Sequence, residues 1–113
     1  MSAITTHVLD TARGKPAEGV AVRLEMQEGT TWRELGRGTT DADGRLRTLL
    51  PAGAPLARAS YRITFETAAY LARHGADVFF PEVTIPFVVA DAAQHYHVPL
   101  LLSPFAYSTY RGS

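Results

Sequence analysis

The chain reads as an all-β fold, a two-sheet antiparallel β-sandwich with one short α-helix, and three features of its 113 residues carry that reading. Apolar and polar residues alternate with a period of two in several short runs, the signature of strands with one buried face. Clusters of Gly, Asp, Thr and Pro separate the runs at the spacing of turns. Helix formers gather in a single short stretch, which argues against alternating βαβ units.

Thr5, Thr6, His7 and Val8 belong to a first strand. From Gly19 to Glu28, Val20, Val22, Leu24 and Met26 occupy one parity while Ala21, Arg23, Glu25 and Gln27 occupy the other, the clearest strand in the chain. Gly29 and the two threonines after it mark a turn, and Trp32 to Thr40 returns as the second arm of a hairpin. Asp41-Ala42-Asp43-Gly44 is a tight turn, since Asp caps its own backbone and Gly accepts positive φ. Tyr61, Ile63 and Phe65 form another one-sided strand. The helix is expected from Glu66, with Glu66 in its first turn, Ala68, Ala69, Leu71 and Ala72 in its body, Arg73 and His74 in its last turn and Gly75 just beyond. Val83 to Val89 and Tyr96 to Leu102 read as strands whose Pro86 and Pro99 imply an edge, a bulge or a strand start. Ala106 to Tyr110 is expected as the last strand.

The composition narrows the function classes. Hydrophobic residues make up 46% and charged residues 19%, ordinary globular usage. One domain over residues 1–113 is expected, with no linker or repeat. Eleven Lys+Arg balance eleven Asp+Glu, so no basic field is offered to nucleic acid or to an anionic membrane. With no cysteine there is no thiolate nucleophile, disulfide framework or Cys-based metal site. The first residues carry no secretory pattern and no apolar run is long enough to cross a membrane, so a cytoplasmic location is expected.

Few residues offer chemistry. His95 and His97, two apart, share one face of a strand. They could be solvated surface histidines, hold a metal with His7 as third ligand, or supply a general base near neutral pH. His7 alone reads as an ordinary strand residue, and Arg45 as a loop arginine whose fork could clamp a planar anion. Asp41-x-Asp43-Gly44 begins like a calcium loop, but Arg45 and Ala52 stand where ligands should be. His74 suits the helix end and receives no catalytic role. The tail Tyr107 to Ser113 packs two tyrosines, an arginine and a terminal serine into seven residues, as an active site or a dimer interface would.

Taken together, Thr5-Thr6-His7-Val8-Leu9-Asp10-Thr11, Asp43-Gly44-Arg45, His95-Tyr96-His97-Val98-Pro99-Leu100-Leu101-Leu102-Ser103-Pro104 and Tyr110-Arg111-Gly112-Ser113 resemble the 5-hydroxyisourate hydrolases, the transthyretin-related enzymes of urate breakdown. The likeness spans the chain, taking in residues 14–20 and Phe79-Phe80-Pro81, with no departure at the motif positions. The closing Tyr-Arg-Gly-Ser separates these enzymes from transthyretin, the hormone carrier.

The resemblance implies a transthyretin-like sandwich assembled as a homotetramer, a dimer of dimers, with active sites in the channel between dimers. It implies hydrolysis of the ring amide of 5-hydroxyisourate to 2-oxo-4-hydroxy-4-carboxy-5-ureidoimidazoline, with no cofactor and no metal. It selects His97 over His95 and adds His7 and Arg45 as catalytic residues. His7, Arg45, Tyr110 and Ser113 are implied to bind substrate, the tail residues from a neighbouring subunit, and the end at Ser113 is expected to belong to the site. The alternative is a non-enzymatic carrier of a small aromatic ligand, for which an aliphatic channel lining would be expected.

Overall fold

The structure is a computed structural model that describes residues 2–113; Met1 lies outside the described residues. Nine strands and one helix follow the order β1 (Ile4–Asp10), β2 (Lys15–Pro16), β3 (Ala21–Glu28), β4 (Thr31–Thr39), β5 (Arg45–Leu46), β6 (Ala59–Glu66), α1 (Thr67–Arg73), β7 (Val83–Val89), β8 (Tyr96–Ser103) and β9 (Ala106–Thr109). One sheet runs β2-β1-β8-β9, with β5 also on β1, and the other runs β4-β3-β6-β7. The period-two runs account for the core. Val8, Val98, Leu100 and Leu102 of the first sheet and Val22, Leu24, Ile63 and Phe65 of the second are all buried. Their alternate neighbours face out, as the pleat requires. Among the described residues, no helix is long and apolar enough to cross a membrane.

Three local readings change. Glu66 does not open the helix; it ends β6, and its carboxylate pairs with Arg23 across the sheet instead of capping α1. The sandwich is not wholly antiparallel, because β1 and β8, joined through the whole chain, run parallel in the register Thr5↔His97 and His7↔Pro99.

Pro86 lies in the edge strand β7, as expected, whereas Pro99 lies in β8, between β1 and β9. Strand β9 stops at Thr109, opposite Leu100, so Pro99 faces no ladder partner that needs its missing N–H. The Thr109 hydroxyl donates to the Pro99 carbonyl at 2.7 Å instead.

The turn before β5 is held from both sides. Asp41 accepts the N–H groups of Asp43 and Arg45 on Oδ1, at 2.9 and 3.0 Å. Gly44, at φ +75°, gives its carbonyl to the Val8 N–H at 2.7 Å. A Cβ at Gly44 would stand 2.3 Å from the Val8 carbonyl oxygen. Gly44→Ala combines a left-handed alanine with that clash and should cost about 2–4 kcal/mol. Thermal unfolding followed by circular dichroism should show a loss on the order of 10 °C.

Candidate active site

Odd-numbered residues of β1 face away from the core, which puts Thr5 and His7 on the outer face of the first sheet. The parallel register sets His97 beside Thr5, and the antiparallel pairing of β5 sets Arg45 beside His7. Residues that are 38 and 90 positions from His7 in sequence thus share one patch because two different strands flank β1. A cavity of about 290 Å³ opens there. Thr5, Thr6, Arg45, Arg47, His95 and His97 line it, with Ser113 of the tail. His7 lies beside it, paired with Arg45.

Each of the two candidate histidines is tied by one ring nitrogen. His7 Nε2 is 2.8 Å from the Asp43 carbonyl oxygen, which can only accept, so Nε2 carries the proton and the neutral ring keeps its lone pair on Nδ1. His97 Nδ1 is 2.8 Å from the Thr5 hydroxyl. Its Nε2 has no hydrogen-bond partner among the described residues. Burial first, and then the nearby Arg45 charge, hold both histidines below the ordinary histidine value, with His7 and His95 adding to the effect on His97. Both rings are therefore neutral at pH 7 and able to accept a proton.

Arg45 takes part in none of the ion pairs among the described residues, whereas Arg23, Arg33, Arg37 and Arg62 each hold a carboxylate and Arg47 lies 4.0 Å from that of Asp41. Its charge is left for a ligand. Among the described residues, no group of three His, Cys, Asp or Glu side chains is gathered that could hold a metal ion, so His7 does not join the His95–His97 pair as a third ligand.

The tail reaches His97 through its glycine. Beyond Thr109 the chain continues in the same register as β9, skips Pro99, and re-engages where the Gly112 N–H donates to the His97 carbonyl at 2.8 Å. A Cβ on Gly112 would stand 2.5 Å from His97 Cδ2, so the backbone lies against the imidazole as only glycine permits.

Tyr110 is not gathered with His97 in the same subunit. It is 57% exposed and lines a separate hollow with Phe87 and Val88 of β7. Arg111 turns away too, its guanidinium over the Tyr96 ring and bonded to Gln94 at 2.7 Å.

Sequence reasoning missed Thr5 and Arg47. Arg47 had a signal, because it stands two residues after Arg45 and shares its face. Thr5 had none, since only the parallel β1–β8 pairing shows it facing His97.

The model of the HIUase/Transthyretin family matches residues 4–112. A 5-hydroxyisourate hydrolase of Caulobacter vibrioides is 48% identical over the full length of both chains. The solved 5-hydroxyisourate hydrolase of Klebsiella pneumoniae superposes with a TM-score of 0.85 at 42% identity, covering 100% of both chains. Sea bream transthyretin, solved with thyroxine, superposes at 0.88 with 30% identity, over 97% of this chain and 94% of its own. With the family model covering nearly the whole sequence, and both sheets and the helix in place, the chain belongs to the HIUase/Transthyretin family.

Proposed function

We propose that this chain hydrolyses the ring amide of 5-hydroxyisourate, yielding 2-oxo-4-hydroxy-4-carboxy-5-ureidoimidazoline in urate catabolism. The observation that carries the reading is a polar cavity beside which two neutral imidazoles, His7 and His97, each keep one nitrogen free next to an arginine with no carboxylate partner. Amide hydrolysis needs a base for the attacking water, a donor for the carbonyl oxygen as it becomes negative, and a proton for the leaving nitrogen. One imidazole removes the water proton while the other orients the water or protonates the leaving nitrogen. Arg45 holds the planar ring through paired N–H groups and stabilises the developing oxyanion.

Thr, Arg, His and Ser line the cavity, with no aliphatic residue among them, which suits a polar heterocycle better than the apolar ligand of a carrier. The chemistry needs no metal or cofactor.

The reading extends to assembly. Residues 1–113 form one domain, located in the cytoplasm and working as a dimer of dimers, in which Tyr110 and Ser113 of a neighbouring subunit complete the substrate pocket. In support, Phe79, Val88, Phe105 and Tyr110 each expose more than half of their surface, an unusual apolar load for an isolated subunit of this size.

Freshly generated 5-hydroxyisourate should lose its ultraviolet absorbance much faster with the protein than without it; equal decay would sink the proposal. The acid limb of kcat/KM should have its midpoint below about pH 6.5, because burial and Arg45 lower both histidines and the neutral, basic form survives to lower pH. A midpoint above that value would remove the histidines as bases.

A further inference from the structure

His95 and Thr5 lie outside the roles assigned so far, yet both stand directly behind His97. The Thr5 hydroxyl oxygen is 2.8 Å from His97 Nδ1 and 3.1 Å from His95 Nε2. The two rings are nearly parallel, 16° apart in plane with centroids separated by 6.4 Å. Thr5 itself is buried, and the two rings are the only hydrogen-bond partners of its hydroxyl among the described residues.

A hydroxyl carries one hydrogen and two lone pairs, so it can donate to only one of the two rings. If it donates to His97 Nδ1, His97 must carry its proton on Nε2 and presents a donor. If it donates to His95 Nε2, its oxygen accepts from His97 Nδ1–H, and His97 Nε2 bears the lone pair. Accepting from both rings would leave the buried hydroxyl hydrogen without a partner, which is costly.

We infer that Thr5 and His95 are positioning residues that fix His97 in its Nδ1–H form, so that Nε2 is the base that activates water. The chain of hydrogen bonds then runs from His97 Nδ1–H to Thr5 Oγ1, and from Thr5 O–H to His95 Nε2, with the His95 proton on Nδ1. The same direction suits the reaction. His97 Nε2 takes a proton from water while the water oxygen bonds to the ring carbonyl carbon, and the carbonyl π pair moves onto oxygen beside Arg45. The His97 imidazolium that results has N–H on both nitrogens, and its Nδ1–H already has Thr5 as acceptor. Collapse of the oxyanion breaks the C–N bond, and the proton passes to nitrogen.

His7 differs, because its tether is the Asp43 carbonyl, which accepts only and cannot be reversed. The reversible partner is on His97 alone, and His95 supplies the acceptor that sets its direction. This assignment rests on the hydrolase reading for its kinetic consequence, but the state of the His97 ring can be read without substrate.

Long-range proton–nitrogen correlation spectra of ¹⁵N-labelled protein, recorded at about pH 8 where the His97 ring is neutral, test it directly. The wild type should show His97 protonated on Nδ1 and bare on Nε2. Thr5→Val removes the acceptor, and His95→Phe frees the hydroxyl proton for His97, so each should move His97 toward the Nε2–H form. Thr5→Ser should keep the wild-type pattern. In turnover of 5-hydroxyisourate, Thr5→Val and His95→Phe should each lower kcat by on the order of tenfold or more with KM within about twofold, and Thr5→Ser should restore most of it. His95 is exposed, so His95→Phe carries the test even if Thr5→Val does not fold. A wild-type His97 protonated on Nε2, or an unchanged ring in both variants, would overturn the assignment. Absence of turnover in the wild type would overturn the hydrolase reading alone, because the spectra decide the ring state independently.

Discussion

Replacing His97 with alanine is expected to lower kcat/KM for 5-hydroxyisourate by about 10²–10⁴-fold, the range that a positioned general base supplies. The size of the effect follows from what surrounds the ring. Its Nδ1 is held by Thr5, its Cδ2 edge lies against Gly112, and burial first, then the Arg45 charge, hold it below the ordinary histidine value. On the proposed assignment alanine removes the base, and it leaves a gap where Gly112 lay against the imidazole.

The fold should survive this change. His97 faces outward from β8 and is only half-buried, whereas Tyr96 and Val98 on either side supply the inward packing. Circular dichroism and the melting temperature should therefore stay near the wild-type values while turnover collapses. Wild-type turnover by the alanine variant would end the assignment of His97.

The strands that carry the core were legible for a physical reason. Burial on one face imposes a period of two, and the apolar residues from Val20 to Met26 and from Tyr61 to Phe65 follow it in sequence. The helix was legible from composition, but its start was displaced by one residue. Glu66 has a partner in Arg23 on a neighbouring strand, and no local rule can weigh that pairing against a helix N-terminus.

The site was less legible than the fold. Period two explains why His95 and His97 share a side, but nothing local distinguishes them. Their difference is that His97 stands opposite Thr5 and Gly112, from strands 92 residues upstream and 15 residues downstream. The same limit hid Thr5. A parallel β1–β8 pair requires the chain to leave one sheet, build the other and return, and no window of sequence contains both strands. The family resemblance supplied His7 and Arg45, and the register shows why they belong together, as the two facing residues of the β1–β5 pair.

Arg45 yields the other large effect, and it separates two roles that a single substitution confounds. Arg45→Ala should lower kcat/KM by about 10²–10³-fold, the loss seen when one oxyanion donor is removed. It should also move the acid limb of the pH profile upward, because the Arg45 charge is among the causes that hold both His7 and His97 below the ordinary histidine value. Once that charge is gone, each ring binds its proton at a higher pH and ceases to be a base sooner as the solution is acidified. Arg45→Lys keeps the charge but loses the planar fork, so its kcat/KM should fall while the acid limb stays close to that of the wild type. Stopped-flow ultraviolet measurements of all three proteins from pH 5 to pH 9 would decide the matter. If Arg45→Lys moved the limb as far as Arg45→Ala, charge would not be what Arg45 contributes to the histidines. If lysine restored full turnover, the paired N–H groups would not be what it contributes to the ring. The geometry favours two separate contributions, because the guanidinium lines the cavity and its charge reaches both imidazoles.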